Sequence, residues 1–252
     1  MTTAVIDAAL LGRVVERATY PAVRAIVLLG SAGRGDATPW SDLDVERWVE
    51  KAVDRRDDVA VLLEDRLLII HTRTVEDVRA ELHSPERAIW AVPAYRNMRV
   101  LHDPHGDAAS VGEAARLFEW ERLRDSAVLA ARLNLAKSAE FVFKLCAALE
   151  RNDEGSALHA TIALAGRCTR AVAVARGVLI RTENEYYAKV WDAAGVAWAR
   201  EHRAASGLDG GGAFAQALAA CRLYAETLRL LDDVLDDEAR KITARAIAVM
   251  PR

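Results

Sequence analysis

The sequence predicts an α/β (α+β) protein: a small mixed β-sheet domain over residues 1–106, then an all-α helical-bundle domain over residues 107–252. Three observations carry this. Short β-branched runs bounded by turn residues recur up to Gly106 and then stop. Ser110 followed by Glu113 forms a capping-box pattern that opens a long stretch of helical periodicity. That stretch is interrupted only at RNDEGS (151–156), at 177–185 and at the glycine-rich SGLDGGG (206–212).

The elements follow in order. Residues 4–18 place apolar side chains at helical spacing and stop before Pro21. Val23 to Leu29 is a β-branched run ending at Gly30, a strand. Residues 31–41 are loop, or loop opening a short helix. Leu43 to Val49 alternates, with Leu43, Val45 and Arg47 on one face and Asp42, Asp44 and Glu46 on the other. Residues 57–74 read as two strands about the polar turn Glu64-Asp65. VEDVRAEL (75–82) is a short helix with Thr74 at its N-cap. Residues 96–106 form a last strand closed by a Pro/Gly turn. Beyond it, LDDVLDDEAR (231–240) reads as a solvated helical face.

Composition narrows the function classes. A chain of 252 residues with 52% hydrophobic side chains can bury a sizeable core. The net charge of −3, with both signs dispersed, gives no basic footprint for nucleic acid. No run approaches the ~18 apolar residues of a membrane span. The acids and arginines inside the N-terminal apolar run are unlike a signal peptide. Cys146, Cys168 and Cys221 share no ligand or pairing spacing and read as buried thiols of a reducing compartment, so a cytoplasmic protein is expected.

The chemistry concentrates between Val27 and Glu46. A strand ending in Gly30-Ser31 lets backbone N–H groups and a hydroxyl converge on an anion. Gly33 and Gly35 keep the loop thin, and Arg34 offers a planar cation to phosphate oxygens. Asp42 and Asp44 lie side by side on the next strand. Their mutual repulsion is costly unless a divalent cation sits between them. Phosphoryl or nucleotidyl transfer uses that combination of phosphate cradle and metal.

The full pattern, Leu29-Gly30-Ser31-x-Gly33-Arg34 and then Pro39-Trp40-Ser41-Asp42-Leu43-Asp44, resembles the DNA polymerase β-like nucleotidyltransferase superfamily, and within it the kanamycin 4′-adenylylating enzymes. The resemblance implies a small mixed sheet with helices on one side. It implies that Ser31 and Arg34 hold the phosphates of ATP or another nucleoside triphosphate, and that Asp42 and Asp44 hold Mg2+. It further implies transfer of AMP to a hydroxyl of a small molecule such as an aminoglycoside-like antibiotic, in a homodimer with sites near the subunit interface. Neither nucleic acid nor membrane is an expected partner.

One part is missing. The superfamily adds a third acid on a neighbouring strand, and RLLIIHTRT (66–74) has none. Glu46, Glu64, Asp65 and Glu76 are the acids that could substitute, and His71 could touch metal or substrate or simply be a partly buried strand histidine. The chain is then an enzyme with fewer metal ligands, or a fold that has lost catalysis and serves as a binding or antitoxin-like regulatory protein.

A base is sought on the helical domain. KSAEFVFKLCAAL (137–149) is apolar nearly all round, which predicts a buried helix, yet Glu140 and Lys144 share a face with Lys137. The alternative is an i,i+4 ion pair on an exposed stripe. In the family resemblance, Glu140 is the general base and Lys144 reaches the triphosphate. Glu183, Tyr186 and Tyr187 in IRTENEYYAKVW (180–191) could wall a hydroxylated or cationic ligand. Equally, Thr182 and Glu185 could form a capping box. In HDPHG (102–106), His102, Asp103 and His105 read as a turn rather than a metal site.

Overall fold

A computed structural model of the chain describes residues 6–251. They divide into two compact units, one ending at Glu119 and the other beginning at Trp120. The first contains α1 (Ala8–Ala18), β1 (Val23–Leu28), α2 (Gly30–Arg34), β2 (Leu43–Val49), β3 (Val59–Leu63), β4 (Arg66–Thr74), α3 (Val75–Glu81), α4 (Pro85–Arg96), β5 (Arg99–His102) and α5 (Asp107–Arg116). Residues 4 and 5 of the predicted first helix lie outside the described residues. The helix itself begins after Asp7, whose carboxylate accepts from Leu10 N at 2.7 Å.

The five strands form one mixed sheet in the order β3-β4-β2-β1-β5. β1 runs antiparallel to both β2 and β5, β3 antiparallel to β4, and β2 parallel to β4. The two strands about Glu64-Asp65 form as expected, because both turn residues take positive φ, +50° and +62°, as the tightest hairpin turns require. One face of the sheet packs Ile26, Leu28, Leu43, Val45, Leu68 and Ile70 against Leu10, Leu11, Val14 and Ala18 of α1. On the other face Trp48 meets Tyr95 of α4 edge-on, ring centroids 5.8 Å apart. Thr74 caps α3, its hydroxyl accepting from Asp77 N at 3.0 Å.

Two boundaries differ from the expected ones. α4 occupies a stretch in which no element was predicted, and its last turn takes up Arg96, so the final strand starts only at Arg99. α5 starts at Asp107, directly after the positive-φ Gly106, which leaves Ser110 inside the helix rather than at its cap. α5 packs on β1 and α4 and so belongs to the first unit.

The second unit is helical: α6 (Arg124–Glu150), α7 (Glu154–Ala175), α8 (Tyr186–Ala194), α9 (Val196–Ala205), α10 (Ala213–Leu230) and α11 (Asp237–Val249). The three predicted interruptions fall between helices. Residues 231–236 add another, because Asp236 caps α11 by accepting from Ala239 N at 2.9 Å, so LDDVLDDEAR is a helix junction and not one continuous face. Two buried polar anchors tie the bundle: Trp198 Nε1 donates to Thr227 Oγ1 at 2.8 Å, and Tyr224 Oη to the Leu135 carbonyl at 3.0 Å. The three cysteines are free thiols, Cys168 and Cys221 buried and Cys146 partly so. Among the described residues no helix is long and apolar enough to cross a membrane.

Candidate functional site

The sheet and α2 bring the glycine-serine turn against the second aspartate. β1 ends at Leu28, and Gly30, at φ +60°, turns the chain into α2. Leu29 N donates to the Asp44 carbonyl at 2.8 Å, which fastens the turn to β2. A Cβ on Gly30 would lie 2.9 Å from Asp44 Oδ2, and one on Gly33 only 2.3 Å from the Leu28 carbonyl oxygen. The Asp44 carboxylate therefore sits directly over backbone that only glycine leaves bare. Gly35, in the left-handed region, ends α2, and its N–H and that of Asp36 both donate to the Ser31 carbonyl at 3.0 Å. The first N–H groups of such a helix have no intrahelical acceptor.

Asp42 immediately precedes β2, two residues from Asp44, and continued alternation would put the two on one face. The turn before it is braced: Thr38 N donates to Ser41 Oγ at 2.9 Å, and Arg66 of β4 reaches the Thr38 and Ser41 carbonyls at 3.4 and 3.3 Å. At its tip Trp40 is 94% exposed. Arg34 is not an open cation. Its Nε and Nη2 grip the two Asp36 oxygens at 3.2 and 3.1 Å, so a phosphate contact would require it to exchange partners.

The parallel register settles what faces Asp44. Its partner on β4 is Ile69, and the partner of Glu46 is His71. No carboxylate occupies the neighbouring strand. Glu46 is only 7% exposed and is fully engaged: it accepts from Trp48 Nε1 at 2.8 Å and Tyr95 Oη at 3.2 Å and pairs with Arg73 at 3.5 Å. Burial, the largest influence, raises its pKa against the pull of Arg73, with nearby Glu81 adding to the rise. The single Tyr95 hydroxyl proton is shared between Glu46 and Glu81, the latter 3.1 Å away, and Arg73 pairs with Glu81 at 2.9 Å. Burial and these two carboxylates push the Tyr95 phenol well above its ordinary value. This network borders a cavity of about 200 Å3 lined by Leu29, Glu46, Glu81, Arg87, Trp90 and Tyr95 among others. Glu46 thus anchors the sheet to α3 and α4.

Other candidates lie elsewhere. His71 is half-exposed and bonded through Nδ1 to Asp58 Oδ2 at 2.8 Å. Glu64 is ion-paired with Arg13 at the hairpin turn, and Asp65 and Glu76 are exposed. Asp103 accepts from Ala109 N at 2.9 Å, so HDPHG is the turn it was expected to be. In the helical unit, α6 is not buried all round. Glu140 and Lys144 are 62% and 51% exposed and joined at 2.5 Å, and that ion pair holds the Glu140 carboxyl below its usual range. Tyr187 is half-exposed and stacks on Tyr186 and Trp191 at 5.6 and 6.3 Å, while Glu183 is exposed. Burial pushes the Tyr186 phenol up to about 12. No capping box forms at Thr182, because Glu185 accepts from Arg181 N instead.

Among the described residues no group of three or more His, Cys, Asp or Glu side chains could hold a metal. Two hard carboxylates on one face do suit Mg2+, which keeps most of its shell as water and substrate phosphate. Sequence patterns missed Trp40 as an exposed ring two residues before Asp42, and missed Tyr95 as a partner of Glu46 with Glu81 as the second carboxylate on it. The first sat inside a motif quoted for its acids, and the others depend on α4.

No protein-family model matches the chain, and neither does any curated protein. Among solved structures the chain is similar to a nucleotidyltransferase-like protein from Exiguobacterium sibiricum 255-15. That match has a TM-score of 0.49 and 14% identity, and it covers 92% of this chain and 74% of that one.

Proposed function

We propose that the protein is a Mg2+-dependent nucleotidyltransferase that moves a nucleoside monophosphate, AMP from ATP in the first instance, onto a hydroxyl of a small molecule. The observation that carries this is the contact between the glycine turn and the metal-ligand aspartate: a Cβ at Gly30 would meet Asp44 Oδ2 at 2.9 Å. A phosphate held by the turn would therefore lie beside a cation held by Asp42 and Asp44. The bound Mg2+ would supply charge stabilisation to the phosphate oxygens. Ser31, with Arg34 released from Asp36, would orient the triphosphate, and Lys144 and Glu140 are carried from the family resemblance as a further phosphate contact and the general base. The acceptor oxygen would bond to the α-phosphorus as the bond to pyrophosphate breaks, with the hydroxyl proton passing to the general base. Trp40, fully exposed beside Asp42, is suited to hold a ring of nucleotide or acceptor. Glu183, Tyr186 and Tyr187 are carried as an acceptor wall, the aminoglycoside-like antibiotics as the first acceptor class, and a homodimer in the cytoplasm as the working form.

A second reading rests on Ile69. With an aliphatic side chain opposite Asp44, the fold would bind nucleotide without turning it over and act as a regulatory partner. One experiment separates the two. ATP, Mg2+ and a panel of aminoglycosides and other hydroxylated antibiotics are scored for pyrophosphate release, alongside a thermal-shift titration with ATP and Mg2+. Release abolished in Asp44→Ala supports the enzyme, and release kept at more than half of the wild-type rate in Glu140→Gln would remove that residue from the base role. A thermal shift without release favours the binding protein, and neither signal would end both readings.

A further inference from the structure

A second cationic site lies on the opposite face of β2 and at its far end from Asp42 and Asp44. Alternation puts Arg47 on the Leu43 and Val45 side of the strand. The residue is 4% exposed, yet among the described residues no carboxylate forms an ion pair with it. Nε donates to Thr72 Oγ1 and Nη2 to the Asp57 carbonyl, both at 2.8 Å and both to neutral acceptors. Asp58 acts on Arg47 through space without forming an ion pair, and a buried cation that lacks a direct counter-ion is costly and is kept where something pairs with it.

Arg47 lines an open groove of about 610 Å3 together with Arg17, Arg55, Arg56, Asp57 and Val59. Four guanidinium groups therefore border one space on a chain whose net charge is −3. Arg55 is neutralised by Asp77. Arg17 and Arg56 pair with no carboxylate among the described residues, and Asp57 is the one acid on the lining. Asp58, next to it, is engaged by His71 Nδ1 and by Thr72 N. The arginines are held in place: Arg56 lies over the Tyr20 ring at 4.0 Å and Arg47 at 5.2 Å, while Tyr20 Oη is fixed to the Asp54 carbonyl at 2.7 Å. Burial, the largest influence, lowers the Arg47 pKa and Arg56 adds to that, while Tyr20 and Asp58 oppose it, and an anion in the groove would oppose it further.

We propose that this groove binds an oligophosphate anion, with Arg47 as the buried anchor and Arg17 and Arg56 as the outer clamps. Guanidinium forks match the paired oxygens of phosphate or carboxylate but not a halide, and a phosphate chain carries enough oxygens to meet three arginines at once. The cluster is compact rather than a stripe along the molecule, which favours a short oligophosphate over a nucleic-acid strand. The lining carries no aromatic ring, so free tripolyphosphate and the phosphate chain of a nucleotide should bind alike.

The test is calorimetric titration of the full chain at fixed ionic strength, with EDTA present, using sodium tripolyphosphate, ATP and a short RNA oligonucleotide. The same titrations are run on Ser31→Ala/Arg34→Gln, which disables the proposed catalytic cradle, and on Arg17→Gln/Arg56→Gln, whose changes are on exposed side chains. The expected result is one saturable site, equal within threefold for tripolyphosphate and ATP, unchanged in the cradle variant and weakened at least tenfold in the arginine variant. Absence of saturation overturns the proposal, as does equal binding by the arginine variant or loss of binding in the cradle variant. ATP or RNA binding more than tenfold tighter than tripolyphosphate overturns the assignment to a short phosphate chain.

Discussion

At the scale of single residues, three glycines of one turn answer to different constraints, so alanine at each should have a different effect. At Gly33 a Cβ would stand 2.3 Å from the Leu28 carbonyl, a backbone atom that cannot swing away. At Gly30 it would meet the end of the Asp44 side chain at 2.9 Å, with φ at +60°. At Gly35 there is open space and only the left-handed backbone, φ +84°, to strain. Left-handed alanine costs about 1–2 kcal/mol, and forced overpacking about 1–3 kcal/mol. Urea denaturation should therefore rank Gly33→Ala as the most destabilised and Gly35→Ala as near 1 kcal/mol. Gly30→Ala should be intermediate in stability but the most damaged in its thermal response to ATP and Mg2+, because it displaces Asp44. A Gly33→Ala protein as stable as Gly35→Ala would mean that α2 is free to shift, and the rigid seating of the turn would be wrong.

At the scale of elements, register decides what the site contains. The parallel pairing of β2 with β4 sets Ile69 opposite Asp44, so Ile69→Asp places a carboxylate on the strand where the resembled enzymes carry their third acid. The expected outcome is a Mg2+ midpoint, read from nucleotide-induced thermal shift, lowered severalfold. The accompanying loss of apolar burial should cost about 1–3 kcal/mol of stability. An unchanged Mg2+ midpoint in a folded variant would mean that Asp42 and Asp44 do not hold the metal. The absence of an acid on this strand was legible in the sequence, since alternation and the Glu64-Asp65 turn fix β3 and β4. Other elements were not legible, for identifiable reasons. α4 opens on Pro85 and contains Pro93, and proline in a helix interior normally signals a break. α6 looked apolar all round, yet in 27 residues it leaves Leu129, Leu133 and Phe143 substantially exposed beside Glu140 and Lys144. Composition of a segment cannot tell a buried helix from one whose apolar side chains extend onto its solvent face. The engagement of Glu46 by Tyr95 is a tertiary fact of the same kind, whereas that of Arg34 by Asp36 is local, between residues two apart.

At the scale of the whole molecule, acid should act unevenly on the two units, and the reason lies in α8 and α9. His202 is 1% exposed and enclosed by aromatic rings, with Trp198 stacked at 5.1 Å and Tyr187 tilted at 4.9 Å. Trp191 Nε1 donates to its Nδ1 at 3.1 Å, which requires that nitrogen to be unprotonated. Burial lowers the His202 pKa to about 4, from an ordinary value of 6.5. Between those values the unfolded chain binds a proton that the folded chain refuses, so stability is complete above about pH 6.5 and is lost as pH falls toward 4. The loss should reach about 2 kcal/mol by pH 5. Glu201, Asp153, Asp232 and Asp236 have pKa values pulled below the ordinary carboxylate range by their partners, so they begin to titrate only at lower pH. Hydrogen exchange followed by mass spectrometry at pH 7 and pH 5, corrected for intrinsic rates, should show protection falling in α8 and α9 peptides while β1 and β2 peptides hold theirs. His202→Phe has no imidazole to titrate, and its α8 and α9 peptides should lose little protection over the same interval. If wild type and His202→Phe lost protection equally, the acid sensitivity would belong to other groups, and the buried imidazole would be a packing element without a titration role.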